Sequence, residues 1–212
     1  MTAKGLLLTI SAPSGTGKST LINMLIRDHP EFGFSVSYTT RHARPGEING
    51  KDYFFVDHEE FVSLRDSNFF AEWAQVHGNY YGTPRQKILD ALDSGHSLIF
   101  DIDVQGAAQL KENLNTGVFI FIFPPSLKVL EKRLLKRGTD DPDTVRKRVH
   151  NAGQEISRSE LFDFWIVNDN LLEAYNDLKS IVRAEKLRPC FSPGLPDRIM
   201  DFKHGVHGEH EV

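Results

Sequence analysis

Residues Leu6 to Thr20 read L-L-L-T-I-S-A-P-S-G-T-G-K-S-T. Leu6 to Ile10 is a short apolar run and Ser11 to Gly17 a Ser/Gly-rich turn. From Ser19 to Arg27 the apolar residues Leu21, Ile22, Leu25 and Ile26 recur at helical spacing, until Pro30 stops the pattern. Strand, loop and helix in that order open a parallel α/β sheet. In the loop, Gly15 and Gly17 let successive backbone N–H groups curl around a phosphate, and the helix N-terminus adds its positive dipole end. Lys18 would then reach the β- and γ-phosphates, and the Ser19 hydroxyl would ligate Mg²⁺. The strict G-x-x-x-x-G-K-[ST] pattern fails at its first position, where Ala12 stands. Gly-Lys-[Ser/Thr] alone arises by chance in roughly a tenth of chains this long; the second glycine and the strand-helix setting cut that to about one per cent.

Working outward, Ser97 to Val104 (SLIFDIDV), Val118 to Phe123 (VFIFIF, closed by Pro124 and Pro125) and Phe164 to Val167 (FWIV) read as further buried strands. A helical pattern runs from Leu171 to Leu187. Residues 34 to 85 have another texture: β-prone stretches (FSVSYTT, DYFFV, FAEWAQV, NYYGT) alternate with Gly/Pro/Asn turns, which predicts a small β-rich insertion. Segment 128 to 148 holds eight basic residues against four acidic ones, a local balance of +4. Since the whole chain sums to −4, the remainder carries −8.

At 212 residues, 40% hydrophobic and 25% charged, the chain suits one globular unit with inserted lobes and excludes wholesale disorder or a fibrous repeat. The negative sum argues against a protein that coats nucleic acid or an anionic membrane. Cys190 is the only cysteine, in keeping with a reducing compartment, and the N-terminal apolar run is too short for a signal sequence or a membrane span. The expectation is a soluble, cytoplasmic protein of open oligomeric state, with neither nucleic acid nor membrane as partner.

A GTPase would need an N-K-x-D base motif, and no Asn-Lys dipeptide occurs; Asp103-Val-Gln-Gly106 matches only the common D-x-x-G. The β-rich insertion after the first helix and the arginine-rich segment after the third strand instead sit where a nucleotide kinase needs an acceptor site and a lid. Several motifs carry a specific resemblance: the phosphate loop, Ser35-Val-Ser-Tyr-Thr-Thr-Arg41, Arg44-Pro-Gly-Glu47, Gly50-Lys-Asp-Tyr53, Glu72, Gly78-Asn-Tyr-Tyr-Gly82, Asp101-Ile-Asp103, Pro124-Pro125-Ser126, Arg137-Gly138 and Ile166-Val-Asn-Asp169. In order and over about residues 5 to 188 they resemble the guanylate kinase family.

The resemblance implies a P-loop NTPase-type α/β fold, a parallel sheet flanked by helices with a β-rich GMP-binding insertion and a helical lid. The core would comprise 1–33, 86–127 and 151–188, the GMP lobe 34–85, the lid 128–150 and a flexible tail 189–212. It implies the reaction ATP + GMP = ADP + GDP, with dGMP a further acceptor, in purine metabolism and GMP recycling. ATP would meet Ser11, Ala12, Pro13, Ser14, Gly15, Thr16, Gly17, Lys18, Ser19, Thr20 and, near adenine, Asn168; Ser19 and Asp101 would serve Mg²⁺. Guanine offers donors at N1 and N2, which suit the carboxylates of Glu72 and Asp103, and an acceptor at O6, which suits Ser37 and Thr83. AMP would leave such a carboxylate without its donor. Arg41 and Arg44 resemble a phosphate clamp, aided by Tyr53 and Tyr81 beside Gly82, with Glu47 orienting an arginine. Arg133, Arg137 and Arg148 would close over the transferring phosphoryl group, and Lys18 and Arg41 complete the catalytic set. Lys128, Lys132 and Lys136 read as a solvated face, and His204, His207 and His210 as inert tail residues. The alternative from another class is a non-catalytic binding module of the same fold; such relatives would lack the loop lysine, which stands here as Lys18.

Overall fold

The computed structural model describes residues 3–76, 78–138 and 141–201. The chain runs β1 (Leu7–Ser11), α1 (Lys18–Asp28), β2 (Phe32–Gly33), β3 (Tyr38–Thr39), β4 (Phe54–Phe55), α2 (His58–Asp66), β5 (Phe70–Val76), β6 (Asn79–Pro84) and α3 (Arg85–Asp93). It continues through β7 (Ser97–Asp101), α4 (Val104–Leu114), β8 (Val118–Phe123), α5 (Leu127–Arg137), α6 (Pro142–Ile156), β9 (Phe164–Val167), α7 (Leu171–Lys186) and α8 (Leu195–Asp201).

Five strands form a parallel sheet in the order β2-β7-β1-β8-β9, so the loop after β1 opens at the centre of the sheet's C-terminal edge. The two-residue period of each strand divides the core. Leu8 and Ile10 of β1 with Ile120 and Ile122 of β8 face α1 and α7, packing on Leu21, Leu25 and Leu178. Leu7, Phe119 and Phe121 face the other way, onto Ile88 of α3 and Leu110 of α4. Both faces are covered, which is why these strands are continuous apolar runs and not alternating ones.

Residues 38–84 build a second sheet, order β4-β3-β6-β5, in which β3 and β4 run parallel and the remaining pairs antiparallel. Its core is aromatic: Phe61 of α2 stacks on Phe70 at 4.6 Å and on Tyr80 at 5.2 Å, and Tyr38 stacks on Phe54 at 4.7 Å. Gly82 faces that cluster; a Cβ there would stand 2.9 Å from the Phe70 ring and 3.1 Å from Phe61.

Three local differences from the sequence expectation have physical causes. The strand expected over Ser97 to Val104 ends at Asp101, because Asp103 accepts from Gln105 N and Gly106 N and starts α4 as its N-cap. Helix α2 interrupts the expected β-only insertion; its N-cap Asp57 accepts from Glu60 N at 2.7 Å, and the D-x-x-E spacing with Phe61 behind it was its signal. Helix α6, N-capped by Asp141, which accepts from Asp143 N and Thr144 N, runs unbroken from Pro142 to Ile156, so the expected division between lid and core at 150 falls inside one helix. After Arg188 come a 3₁₀ turn, Pro189–Phe191, and the seven-residue α8, with Pro196 tolerated in its first turn. Residues 202–212, with His204, His207 and His210, lie outside the described residues. Among the described residues no helix is long and apolar enough to cross a membrane.

Candidate active site

The loop between β1 and α1 takes its curl from two left-handed glycines, Gly15 at φ 88° and Gly17 at φ 102°. A Cβ on Gly17 would lie 2.5 Å from Asn168 Nδ2, so both conformation and space demand glycine there. Ser11 is buried and donates to Ile102 O at 2.8 Å, tying the loop's start to the end of β7. Lys18 Nζ lies 2.5 Å from Asp101 Oδ1 and 3.4 Å from Ile102 O.

A cleft of about 740 Å³ opens over the loop. Its walls hold Ala12, Pro13, Ser14, Gly15, Gly17, Lys18, Ser19, Thr20, Asp101, Asp103, Arg133 and Arg137. Thr16, buried, turns inward. Its carbonyl accepts from Asn168 Nδ2 at 2.8 Å and from Arg133 Nη1 at 3.5 Å, while the same Arg133 nitrogen reaches Asn168 O at 3.0 Å. Asn168, expected near adenine, therefore has its side-chain amide on the phosphate loop. Arg148 of α6 reaches Ser14 Oγ at 3.4 Å. Arg133 and Arg137 of α5 and Arg148 of α6 thus reach the loop or the cleft above it from two helices, while the fourth arginine of the segment, Arg146, pairs with Asp143.

Two charged wall residues were not anticipated. Lys136 lines the cleft although the run it belongs to reads as a solvated face. Glu155 lines it too, half-buried, its carboxyl pushed up by burial and by Asp103 while Lys18 pulls it down. The signal for Glu155 was its place seven residues, two turns, beyond Arg148 on the same helix face.

A second hollow of about 310 Å³ shares Asp101 with the first and is lined by Ser37, Tyr53, Glu72 and Thr83. Glu72 is 8% exposed; burial is the main cause that pushes its carboxyl up, and Asp103 adds to it, against a hydrogen bond from Thr83. Thr83 Oγ1 donates to Glu72 Oε1 at 2.5 Å and sits 3.1 Å from Ser37 Oγ. Because the Thr83 proton points to Glu72, Ser37 donates to Thr83, and the three groups form one polarised chain.

Arg41 lies apart from Glu72 and lines a different hollow, with His42 and Phe55. Glu47 grips its guanidinium with two bonds of 3.0 and 2.9 Å and also accepts from Arg44 N at 2.7 Å. This holds Glu47 below the usual carboxylate range and raises Arg41, with Tyr81 assisting. Tyr53 joins the two hollows: Arg41 stands 5.3 Å from its ring centre and Tyr81 packs edge-on at 6.1 Å. Arg44 is exposed on the loop between β3 and β4.

The guanylate kinase family model matches residues 4–185. A guanylate kinase of Oleidesulfovibrio alaskensis is 52% identical over 92% of this chain and 95% of that protein. One of Nitratidesulfovibrio vulgaris is 54% identical over 87% and 89%. A crystal structure of guanylate kinase from Anaplasma phagocytophilum superposes with a TM-score of 0.67 at 37% identity, covering 95% of this chain and 96% of that one.

Proposed function

The chain belongs to the guanylate kinase family, and from that membership we propose how its own residues share the work of moving a phosphoryl group from ATP to GMP. The observation that carries the reading is the junction of the two hollows at Asp101: a phosphate-binding loop on one side, a buried carboxylate chain on the other. ATP takes the larger cleft, its β- and γ-phosphates cradled by the N–H groups of Gly15 to Ser19 and met by Lys18. GMP takes the smaller one, with its base edge between Glu72 there and Asp103 on the wall of the larger.

Guanine N1–H and N2–H donate to the Glu72 and Asp103 carboxylates, and a hydroxyl of Ser37 or Thr83 turns to O6. The GMP phosphate is assigned to Arg41 and Arg44 with Tyr53 and Tyr81, Glu47 holding the Arg41 fork in plane. A dianionic phosphate oxygen is already a competent nucleophile near neutral pH, so no general base is called for. Rate then comes from in-line alignment and from neutralising the developing charge with Lys18, Arg133, Arg137 and Arg148. Movement of the 34–85 lobe and the 128–150 segment toward each other would exclude water and keep the phosphoryl group from hydrolysis.

The oxygen donors of Ser19 and Asp101 on the cleft wall suit a hard cation, and Mg²⁺ would be held there by the Ser19 hydroxyl and, through water, by Asp101. When bound, Mg²⁺ would supply charge neutralisation for the phosphoryl transfer. We further place the enzyme in the cytoplasm, in purine metabolism and GMP recycling, with dGMP as a second acceptor because none of the assigned groups addresses the 2′-position.

The test is ADP release with ATP·Mg²⁺ and each nucleoside monophosphate in turn. GMP, and dGMP beside it, should turn over efficiently; AMP or UMP doing as well would overturn the base assignment.

A further inference from the structure

Strand β5 is an edge strand of the second sheet: β6 pairs with one side, and α4 lies along the other. Gln109 of α4 closes that open side with its side-chain amide. Trp73 N donates to Gln109 Oε1 at 3.0 Å and Gln109 Nε2 donates to Trp73 O at 3.0 Å, the two-bond exchange of a paired strand supplied by a side chain. One turn further on, Asn113 Nδ2 donates to Ala71 O at 2.8 Å.

Ala71 is also where the β5–β6 register slips, between Phe70↔Pro84 and Glu72↔Thr83. A bulge takes one residue out of the ladder and re-aims its neighbour. Here the released carbonyl goes to Asn113, and the neighbour is Glu72. Glu72 is therefore bracketed by two residues whose main chains are fastened to α4. The same helix is capped by Asp103, and Glu72 Oε2 lies 3.5 Å from where a Cβ of Gly106, in its first turn, would project.

We infer that Gln109, seconded by Asn113, is a positioning residue for base specificity: it sets the distance between the Glu72 and Asp103 carboxylates by fastening β5 to the helix that Asp103 begins. The inference rests on the reading of Glu72 as a guanine acceptor. Gln109 touches no substrate itself; its removal would let the Glu72 carboxylate drift from the N1–H/N2–H edge while leaving the phosphate loop as it is.

The test is steady-state kinetics of full-length Gln109→Leu, which keeps bulk and removes both bonds, alone and combined with Glu72→Gln. The KM for GMP should rise about tenfold with kcat and the KM for ATP within about twofold, and the GMP-over-AMP preference should fall about tenfold. In the Glu72→Gln background the same substitution should cause no further fall in preference. An unchanged preference, or an equal fall in both backgrounds, overturns the role of Gln109. If Glu72→Gln alone leaves the preference intact, the Glu72 assignment fails instead, and the inference with it. Should Gln109→Leu not fold, Gln109→Glu keeps the acceptor for Trp73 N, loses the donor to Trp73 O, and carries the same comparison.

Discussion

Lys18, the first residue of α1, and Asp101, the last of β7, are joined by a 2.5 Å ion pair, and Asp101 stands in register with Ile10 of the neighbouring β1, the residue before the phosphate loop. The position of the loop lysine is thus set by the register of the central sheet as well as by its own helix. Lys18→Ala should lower kcat by about a thousandfold while GMP affinity, measured by calorimetry, stays within about threefold. Asp101→Asn should lower kcat by about a hundredfold and raise the Mg²⁺ concentration needed for half-maximal rate.

Glu72 titrates above the ordinary glutamate value of 4.5 because it is buried. Between 4.5 and that raised value the folded protein holds a proton that the unfolded chain releases, so stability falls as pH rises through this window and stays lower above it. Glu72→Gln lacks the charge and escapes the loss. Its melting temperature relative to the parent protein should therefore climb as pH is raised from about 4.5 to about 8, and a flat difference would contradict the assigned cause.

Arg41 is held in place by Glu47, and a guanidinium without that partner gains rotamer freedom. Glu47→Ala should raise the KM for GMP about tenfold with little change in the KM for ATP. Arg41→Lys, which loses the planar fork, should cost at least as much.

Gly17 has no room for a side chain. Gly17→Ala places a methyl 2.5 Å from Asn168 Nδ2 on a left-handed backbone, and should destabilise by at least about 2 kcal/mol in urea titration and abolish ATP binding. Asn168→Ala should raise the KM for ATP several-fold and leave that for GMP alone, since its amide holds the Thr16 carbonyl.

The central sheet was legible because burial on both faces leaves nothing but apolar residues in Val118–Phe123. Phe164–Val167 falls where expected but is an edge strand and not a buried one: only Ile166 is buried, while Trp165 and Val167 are exposed. The ends were harder. A strand and a capped turn both tolerate I-D-V, and only the bonds from Gln105 and Gly106 to Asp103 decide between them. Helix α2 hid in a β-rich context because its capping signal, Asp57 to Glu60, is only four residues long. Within the site, the strand-loop-helix around the two glycines and the shared helix face of Arg133 and Arg137 were readable from local spacing, whereas Arg148 entered only with the family resemblance. The contacts of Thr16 with Asn168, 152 positions apart, and of Trp73 with Gln109 belong to tertiary packing, which leaves no periodic mark in a single sequence.

Leu130, Leu134, Val145 and Ala152, with Val149 beside them, form a small cluster of their own between α5 and α6, apart from the clusters that flank the central sheet. Cohesion of that size gives way at a much lower free energy than a central sheet does. Heat or urea curves report the sheet, so in this protein the melting point and the readiness of the arginines are separate quantities. A variant, or a compound ranked by thermal shift, can pass as stable with the packing of α5 on α6 already loosened. Amide exchange at α5 and α6 is the measurement that would see it.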